Sequence, residues 1–508
     1  MSEAATVVTL ERTIFDRLLA YAPMLGMLGL AIALRLIFTL CTDVSWLLTL
    51  GEQVLHGRQP YVDFIEVNPP ASIYLYLPAI YVARALHVAP ELAVVVMVFV
   101  LAAVSTASSL WLLRRSNIVP PDEVPLLSAL AALVLLVLPL YVFAQREHIA
   151  LLLLLPMLSV YTTRAHEHEP PPFAAFLAGL AGGMTVVIKP YFAFALALPF
   201  LSLLWRNRRN SERMLRISIA TENLAAVGVA ASYLVLVFWK FPAFIHVVLP
   251  MLQTVYIPVV RPLWMQLLNP TYRFYALAAI IAVLLGRRRL REPIYEIPML
   301  ASVGFLIAVF LQGKGWPYHG YPAISLLLLV LGTLLVRRVN GSSHLSTIAA
   351  RTLCGYVLAC AAVWFQFNTE QPDVEKAVEA YGFAHPKILT ISADISLGHP
   401  LTRHVHGSWA GAYCSLWIAD NALYLLRHHP DPSQVGAIRR YAQLSRQVLV
   451  HDLRDNKPDV VLIDGRGWRK WAMSYPAIRT ALEEFREDKK VGDVEIWLKK
   501  SIRVRAAP

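Results

Sequence analysis

The chain has 508 residues, of which 57% are hydrophobic and only 16% are charged. A typical soluble domain is about one-quarter charged, so the composition excludes a disordered chain and an ordinary soluble enzyme. The formal net charge is +12, but the arginines form short clusters between apolar runs, which is typical of membrane topology rather than of nucleic-acid binding.

Apolar runs of nearly twenty residues recur in the first 366 residues, and each is long enough to cross the ~30 Å hydrocarbon layer as a helix. Placing the arginine clusters in the cytoplasm predicts about eleven transmembrane helices with the N-terminus inside. The chain is therefore predicted to be a mainly α, polytopic membrane protein. The predicted spans are 19–41, 91–113, 124–144, 147–163, 172–188, 191–205, 217–239, 272–286, 296–312, 320–336 and 349–366.

A long polar and aromatic loop, residues 42–90, follows the first span on the outer side. The apolar run 71–88 within it is predicted to be an interfacial helix, because counting it as a span would place Arg114 and Arg115 outside. Pro78 would also kink a full span. The other predicted outer loops are 145–148, 189–190, 240–271 and 313–321.

A soluble pattern begins near residue 367. Strands are predicted at 387–394, 459–464 and 494–499, and helical stretches at 409–428, 433–455 and 475–487. This alternation predicts a small α/β domain, which the odd number of spans places outside the membrane. The sequence thus predicts a transmembrane domain at 1–366 and an extracytoplasmic domain at 367–508. The 4 cysteines are too few and scattered for a disulfide framework.

Ionisable residues collect on the predicted outer side. Asp43 directly follows the first span, where a carboxylate can accept a proton from an alcohol; the alternative is an interfacial aspartate at a helix end. Three other outer loops contribute Arg146, Lys189 and Lys314. Each has a structural alternative, as a snorkelling arginine, a helix-end lysine or part of a flexible loop. Convergence from three loops favours a shared anion site.

Several motifs, taken in order, resemble the GT-C glycosyltransferases, in the branch of protein O-mannosyltransferases and lipid A aminoarabinose transferases. In two places the chain departs from that pattern: Asn68 stands where the lipid A enzyme carries lysine, and Val44 rather than an acid follows Asp43. The resemblance does not cover the soluble tail. The motifs are Cys41-Thr-Asp-Val-Ser-Trp46, Gly57-Arg-Gln-Pro-Tyr-Val-Asp63, Glu66-Val-Asn-Pro-Pro70, Gln145-Arg-Glu-His148, Gly182-Gly-Met-Thr-Val-Val-Ile-Lys-Pro190 and Gly313-Lys-Gly-Trp-Pro-Tyr-His319.

The resemblance implies an inverting transferase that moves a sugar from a polyprenyl-phosphate donor to an acceptor hydroxyl on a glycan, lipid or protein. It implies that the protein acts at the outer face of a bacterial inner membrane, with Asp43 as the catalytic base. The residues expected to bind the donor phosphate or sugar are Arg146, Lys189, Lys314, Tyr318, His319 and Asn68. The secondary candidates are Asp63, Glu66, Glu147 and His148.

Glu147 is expected either to pair with Arg146 or to join Asp43 around a divalent ion, so a metal is left open and no other cofactor is expected. Two other functions compete with transfer. One is a multi-pass transporter or flippase, which should place its ionisable groups near mid-membrane between repeated halves. The other is a membrane anchor whose tail binds a partner. The one-sided distribution of the ionisable residues favours the enzyme.

Overall fold

Helices make up most of the chain in the computed structural model, which describes residues 19–338, 344–428, 432–465 and 467–502. Internal contacts divide the chain into two compact units. The bundle unit comprises Met1–Thr39, Val94–Leu234 and Arg261–Phe367. The sheet unit comprises Leu40–Ala93, Val235–Val260 and Asn368–Pro508.

The α-helices are numbered here in chain order. They are α1 (Ala22–Ile37), α2 (Thr42–Leu55), α3 (Ala71–Tyr74), α4 (Leu77–Leu86), α5 (Pro90–Arg115), α6 (Val124–Ala132), α7 (Arg146–Ala165), α8 (Pro172–Ile188), α9 (Ala193–Arg206), α10 (Ser211–Ser218), α11 (Thr221–Lys240), α12 (Leu249–Val255), α13 (Leu263–Leu267), α14 (Pro270–Gly286), α15 (Pro293–Gln312), α16 (Pro317–Arg338), α17 (His344–Phe365), α18 (Pro372–Glu379), α19 (Leu401–His404), α20 (Trp417–His428), α21 (Val435–Arg454), α22 (Trp468–Ser474) and α23 (Pro476–Leu482). Short π-helical segments, Leu133–Val137 and Phe244–Val248, extend α6 and precede α12.

Within the described residues, six helices are long and apolar enough to cross a membrane: α5, α7, α11, α15, α16 and α17. The pair α1 and α2 makes a seventh span if it is counted as one. Each of the eleven predicted spans overlaps apolar helical structure, although some of these helices, such as α8 and α14, are shorter than this test requires. The expectation of a mainly α polytopic fold is confirmed. The segment that was predicted to be an interfacial helix is helical, as α3 and α4, with Pro78 in the first turn of α4; its position at the interface stays a prediction.

Two helices occupy the interior of the bundle unit. In the most apolar stretch of α7 and of α16, 72% of the residues are buried, against 28% for α5 and for α11. A helix whose sides are mostly covered by protein cannot turn polar side chains toward lipid. Polar residues on α7 and α16 are therefore held inside the protein, where burial strengthens their interactions.

The sheet unit contains a five-stranded mixed sheet. Its strands are β1 (Lys387–Ile391), β2 (Ser408–Trp409), β3 (Val460–Asp464), β4 (Phe485–Val491) and β5 (Val494–Lys499). The spatial order is β2-β1-β3-β5-β4. Strand β1 pairs in parallel with β2 and β3, and β5 pairs in antiparallel fashion with β3 and β4. The prediction of a small α/β fold in this part of the chain is confirmed.

Two of the five strands were not predicted, and two predicted helices begin or end elsewhere. The helix predicted at 409–428 begins only at Trp417. The residues before it continue from β2 along β1, where the backbone N–H of Ala410 donates to the carbonyl oxygen of Ile388 (2.9 Å). The helix predicted at 475–487 ends at Leu482, and Phe485 begins β4. Strand β4 is an edge strand rich in charged residues, which protects its free edge from further pairing but hides the strand from a hydrophobicity pattern.

The core of the sheet unit lies between the sheet and its helices. Leu389 and Ile391 of β1 and Val461 and Ile463 of β3 pack with buried residues of the flanking helices, among them Leu449. All five residues of β3 are buried, which is expected of a central strand covered on both faces.

Segments distant in sequence complete the sheet unit. The backbone N–H of Ile65 donates to the carbonyl oxygen of Ala412 (2.9 Å), and the ring of Tyr256 packs against Trp417 with centroids 5.5 Å apart. The residues around the first outer loop and the segment 235–260 thus belong to the same unit as the tail, an association that the sequence did not predict.

Candidate active site

Arg146, Glu147 and His148 lie at the start of α7. The sequence placed them in a loop, but the helix begins at Arg146, so all three side chains belong to its first turn. An acidic residue in this turn is favoured by the positive end of the helix dipole. Exposure is 4% for Arg146 and 0% for both Glu147 and His148. The charged side chains of Arg146 and Glu147 are therefore both held in the bundle interior.

Lys189 ends α8 and points into the same region. Its backbone is extended (φ −146°, ψ 120°), as expected for a residue that precedes proline. The ammonium Nζ donates to Glu147 Oε1 at 2.5 Å and to Gln312 Oε1 at 3.1 Å. Lys189 is only 6% exposed. The Lys189–Glu147 ion pair is consequently buried and held by a further hydrogen bond, as buried charges require.

The turn between α15 and α16 contributes Lys314, the third of the predicted cations. Gly313 and Gly315 have φ values of +59° and +74°, a backbone region that favours glycine, and they flank Lys314. The sequence assigned 313–321 to a loop, but Tyr318 and His319 lie in the first turn of α16. His319 is 4% exposed.

His319 completes the group. Its Nε2 lies 3.5 Å from Lys189 Nζ and 3.8 Å from Glu147 Oε1. The positive charges of Lys189, Arg146 and Lys314 all interact electrostatically with its ring. We call Arg146, Glu147, Lys189, Lys314 and His319 the cationic cluster. The structure thus brings together residues from three chain segments that the sequence predicted to converge.

Two aromatic and polar neighbours adjoin the cationic cluster. The ring of Tyr318 packs edge-on against His319 at 4.6 Å and has its centroid 5.8 Å from Lys189 Nζ. Gln312, which sequence reasoning missed, accepts a hydrogen bond from Lys189. Its position two residues before the glycine-flanked Lys314 was a signal that could have identified it.

Burial changes the acid–base behaviour of Lys314. Loss of hydration lowers the pKa of its ammonium group from the usual 10.5 to about 8. Lys314 is therefore readily protonated at neutral pH, yet it loses its charge at a pH where an ordinary lysine keeps it.

Nδ1 of His319 and Oε2 of Glu147 are buried, and neither atom has a hydrogen-bond partner among the residues that the structure describes. Since Nε2 of His319 faces the ammonium of Lys189, the ring proton belongs on Nδ1. His319 consequently offers a donor and Glu147 an acceptor to a polar ligand, and such unsatisfied buried groups are rare without a functional reason.

Asp43 lies in the sheet unit, in the first turn of α2. The carboxylates of Asp43 and Glu66 both act on Cys414, where burial first and then these two charges raise the pKa of the thiol. The prediction that Asp43 and the cationic cluster act on one substrate stays a prediction.

Glu66, Asn68 and Asp63 hold the first outer loop in shape. Glu66 is 3% exposed, and its Oε2 accepts a hydrogen bond from Trp46 Nε1 at 2.7 Å. Its Oε1 accepts bonds from the backbone N–H and side-chain amide of Asn68. Asp63 is exposed and accepts a hydrogen bond from the backbone N–H of Gln59 at 2.7 Å. In the structure these three candidates are engaged with their own loop.

His148 packs among aromatic rings of the bundle unit. Its ring centroid lies 5.3 Å from Phe143 and 5.2 Å from Tyr321. Its Nδ1 accepts a hydrogen bond from the backbone N–H of Ala144 at 3.2 Å. The surroundings of His148 are therefore those of a core histidine.

The divalent ion left open by the sequence finds no matching donor set. Among the described residues, no group of three or more His, Cys, Asp or Glu side chains is arranged to hold a metal. Glu147, the expected ligand, instead has the ammonium of Lys189 at one oxygen. We therefore assign no step of the chemistry to a metal.

Comparison with solved structures finds a protein of similar architecture. No family model and no curated protein matches the sequence. The structure of ArnT from Cupriavidus metallidurans bound to undecaprenyl phosphate is similar, with a TM-score of 0.55 and 12% identity, over 93% of this chain and 97% of that chain. An oligosaccharyltransferase from Archaeoglobus fulgidus, tethered to an acceptor peptide, matches with a TM-score of 0.47 and 13% identity, over 94% of this chain and 73% of that chain.

The likeness to ArnT extends along almost the whole chain, tail included, whereas the resemblance in the sequence motifs stopped before the tail. At 12% identity the likeness concerns the fold. The expectation of a GT-C-like fold is confirmed at that level, because the chain shares its fold with ArnT.

Proposed function

We propose that the chain is an inverting glycosyltransferase that moves a sugar from a polyprenyl-phosphate donor to an acceptor hydroxyl. The observation that carries the proposal is the cationic cluster. Arg146, Lys189 and Lys314 contribute three positive charges, against one carboxylate from Glu147. Because Arg146 and Lys189 are almost fully buried, this excess charge strongly favours an anionic ligand.

The charge excess suits the leaving group of such a reaction. A sugar phosphodiester carries one negative charge, and the departing polyprenyl phosphate acquires a second one as the sugar–oxygen bond breaks. Cations fixed in place before reaction stabilise charge that develops in the transition state, and they do so more strongly where water is excluded. Arg146 offers a planar fork for two phosphate oxygens, and Lys189 and Lys314 act as point charges.

The polar atoms left over in the cluster suit the sugar. Nδ1 of His319 can donate to a phosphate or sugar oxygen, and Oε2 of Glu147 can accept from a sugar hydroxyl. Tyr318, whose ring borders Lys189, offers a further face and hydroxyl. The likeness to an ArnT bound to undecaprenyl phosphate supports a polyprenyl phosphate as the carrier.

Asp43 is the proposed catalytic base. It lies in the first turn of α2, and a carboxylate so placed can accept the proton of an acceptor hydroxyl. The acceptor oxygen forms a bond to the anomeric carbon as the bond to the phosphate oxygen breaks, so the configuration inverts. The hydroxyl proton passes to Asp43, and the electron pair of the broken bond leaves with the phosphate.

The proposed setting is the outer face of a bacterial inner membrane. The arginine clusters between spans support a cytoplasmic N-terminus and an outer location for the tail domain 367–508. On this proposal residues 1–366 carry the transmembrane catalytic domain, and a glycan, lipid or protein supplies the acceptor hydroxyl.

The direct test incubates the purified chain with a panel of labelled polyprenyl-phosphate sugars, adds an extract of glycans, lipids and proteins as the source of acceptor hydroxyls, and follows donor cleavage. We expect cleavage of at least one donor, its loss in Asp43→Asn and its retention in Asp122→Asn, which removes the same charge from an exposed position. Intact donors throughout, or turnover preserved in Asp43→Asn, would contradict the assignment. Movement of uncleaved donor across vesicle membranes would instead support a flippase.

A further inference from the structure

Two adjoining cavities lie between α5 and α6 in the bundle unit, away from the cationic cluster. One has a volume of about 140 Å³ and is lined by α5, α6, α7, α15 and α16. The other has a volume of about 530 Å³ and is lined by α5, α6 and Tyr21. Leu110 of α5 borders both cavities.

The helical periodicity makes the two cavities neighbours along both helices. On α5, Leu113 lines the smaller cavity and Arg114 the larger one, one residue further round the helix. On α6, Leu127 lines the smaller cavity and Ser128 the larger one. Consecutive residues of a helix with 3.6 residues per turn point to different but adjoining faces, so the cavities lie side by side with Leu110 at their common border.

The smaller cavity is suited to a hydrocarbon chain. The hydroxyls of Ser159, Thr162 and Thr333 in its wall donate to carbonyl oxygens of their own helices, which leaves mainly apolar surface. Its size is close to that of apolar cavities of about 150 Å³ that hold a benzene-sized group. The oxygen of Ser109 in the same wall is buried and has no hydrogen-bond partner in the described part of the chain.

The larger cavity is suited to an anionic headgroup. Arg114 and Arg115 line it and are exposed. Within the residues that the structure describes, neither arginine forms a salt bridge. Trp111 also lines it, is 48% exposed and lies 6.0 Å from the Arg115 guanidinium. Tryptophan with arginine is typical of the level at which lipid headgroups lie.

We propose that these two cavities together bind one anionic glycerophospholipid. Its phosphate lies at Arg114 and Arg115, and the first part of one acyl chain passes Leu110 into the smaller cavity. The Ser109 hydroxyl donates to the ester carbonyl oxygen of that chain. Basic pockets between transmembrane helices bind anionic headgroups in this way. The buried hydroxyl favours an acyl ester over a prenyl chain, which has no acceptor at that position.

The test is native mass spectrometry of the detergent-purified full chain with added phosphatidylglycerol, phosphatidylcholine or glycerol phosphate. We expect phosphatidylglycerol to be retained in preference to the other two. The variant Arg114→Gln/Arg115→Gln should bind it about 25-fold more weakly, since each arginine near an anionic lipid contributes a factor of about five. The matched control is Arg287→Gln/Arg288→Gln, an equally basic and exposed pair that lines neither cavity.

A second variant tests the chain-binding cavity. Ser109→Phe should fill the smaller cavity and weaken phosphatidylglycerol binding while both arginines remain. Equal losses in the two arginine variants would overturn the proposal, because they would indicate general attraction to charge. Equal retention of phosphatidylcholine, binding of glycerol phosphate as strong as that of the lipid, or no retained lipid would overturn it as well.

Discussion

Lys314 is the cation of the proposed site whose charge depends on pH in a working range. Burial lowers its pKa from 10.5 to about 8, so the folded state binds fewer protons at this residue than the unfolded chain does between about pH 8 and pH 10.5. The contribution of Lys314 to the free energy of unfolding therefore rises with pH in that window. Phosphate binding has the opposite dependence, because it needs the protonated form.

We expect the affinity for undecaprenyl phosphate to fall as the pH rises through about 8. Lys314→Arg should remove this loss up to about pH 10, because a guanidinium keeps its charge there. The measurement is the dissociation constant between pH 7 and pH 9.5, with Lys376→Arg as the control for a lysine outside the site. The same alkaline loss in Lys314→Arg would show that another group is responsible.

Glu147 is expected to stabilise the fold and at the same time to compete with the ligand. Glu147→Gln leaves the buried ammonium of Lys189 without its carboxylate, which should lower the free energy of unfolding by about 3–5 kcal/mol. An anionic ligand would replace the lost charge, so undecaprenyl phosphate should raise the melting temperature of this variant more than that of the wild type.

The control for Glu147→Gln is Glu167→Gln, which breaks an exposed ion pair with Arg213. Such a pair contributes at most about 1 kcal/mol. An equal effect of the two substitutions on stability, or no added stabilisation of Glu147→Gln by the ligand, would exclude the buried pair as part of an anion site.

The sequence predicted that a helix forms more reliably than it predicted the residue at which the helix begins or ends. Long apolar runs identify α5, α7 and α15 by composition alone, but Arg146 and His319 were placed in loops although each lies in a first helical turn. Polar residues at such a position do not reveal where a helix begins, because capping depends on the backbone around it. Strand β4 was not predicted for a related reason, because a charged edge strand has little hydrophobic pattern.

Close helix packing depends on glycine at one position of α15. A Cβ on Gly304 would lie 2.4 Å from the backbone carbonyl carbon and oxygen of Phe194 in α9. Helices pack this closely only where small residues let their backbones approach. Since backbone cannot move aside as a flexible side chain does, α9 and α15 would have to separate.

Gly304→Ala should therefore lower the melting temperature by several degrees, whereas Gly228→Ala should leave it unchanged or raise it. The space around Gly228 is open within 4 Å, and alanine is favoured over glycine in a helix by about 1 kcal/mol. A thermal unfolding assay on both variants makes the comparison. A stable Gly304→Ala protein would show that the helices are not in contact there.

Much of the candidate site could be predicted because its residues are unusual for their surroundings. Lys189 and Arg146 stand out in apolar sequence, and charged residues at membrane depth are usually functional. Their partners could not be predicted in the same way. The hydrogen bond of Gln312 and the Lys189–Glu147 ion pair depend on how α7, α8 and α15 pack against one another. A single sequence does not reveal this packing.

For the molecule as a whole, the sheet unit is assembled from three separated stretches of chain. Arg403 of α19 donates to Glu52 of α2 (2.6 Å) and to Glu91 at the start of α5 (2.5 Å). Its side chain is only 10% exposed. These bonds join the tail to the region of the first outer loop. The sequence predicted a tail that begins near residue 367 but not these long-range partners.

Arg403→Leu should leave two carboxylates close together without their cation and so loosen the tail. We expect faster cleavage of residues 368–502 by limited proteolysis than in the wild type. Arg439→Leu, which removes the same charge from an exposed site on α21, should be cleaved at the wild-type rate. Equal rates for the two variants would show that the Arg403 bonds do not hold the unit together.

The binding of undecaprenyl phosphate to the purified chain tests the central claim most directly. With Arg146→Gln or Lys314→Gln, the dissociation constant should rise at least about tenfold, since a charge-assisted hydrogen bond contributes roughly 1.5–3 kcal/mol. Arg287→Gln should leave it unchanged, and thermal unfolding should show each variant folded. Unchanged affinity in both folded site variants would contradict the assignment of the cationic cluster to the donor phosphate.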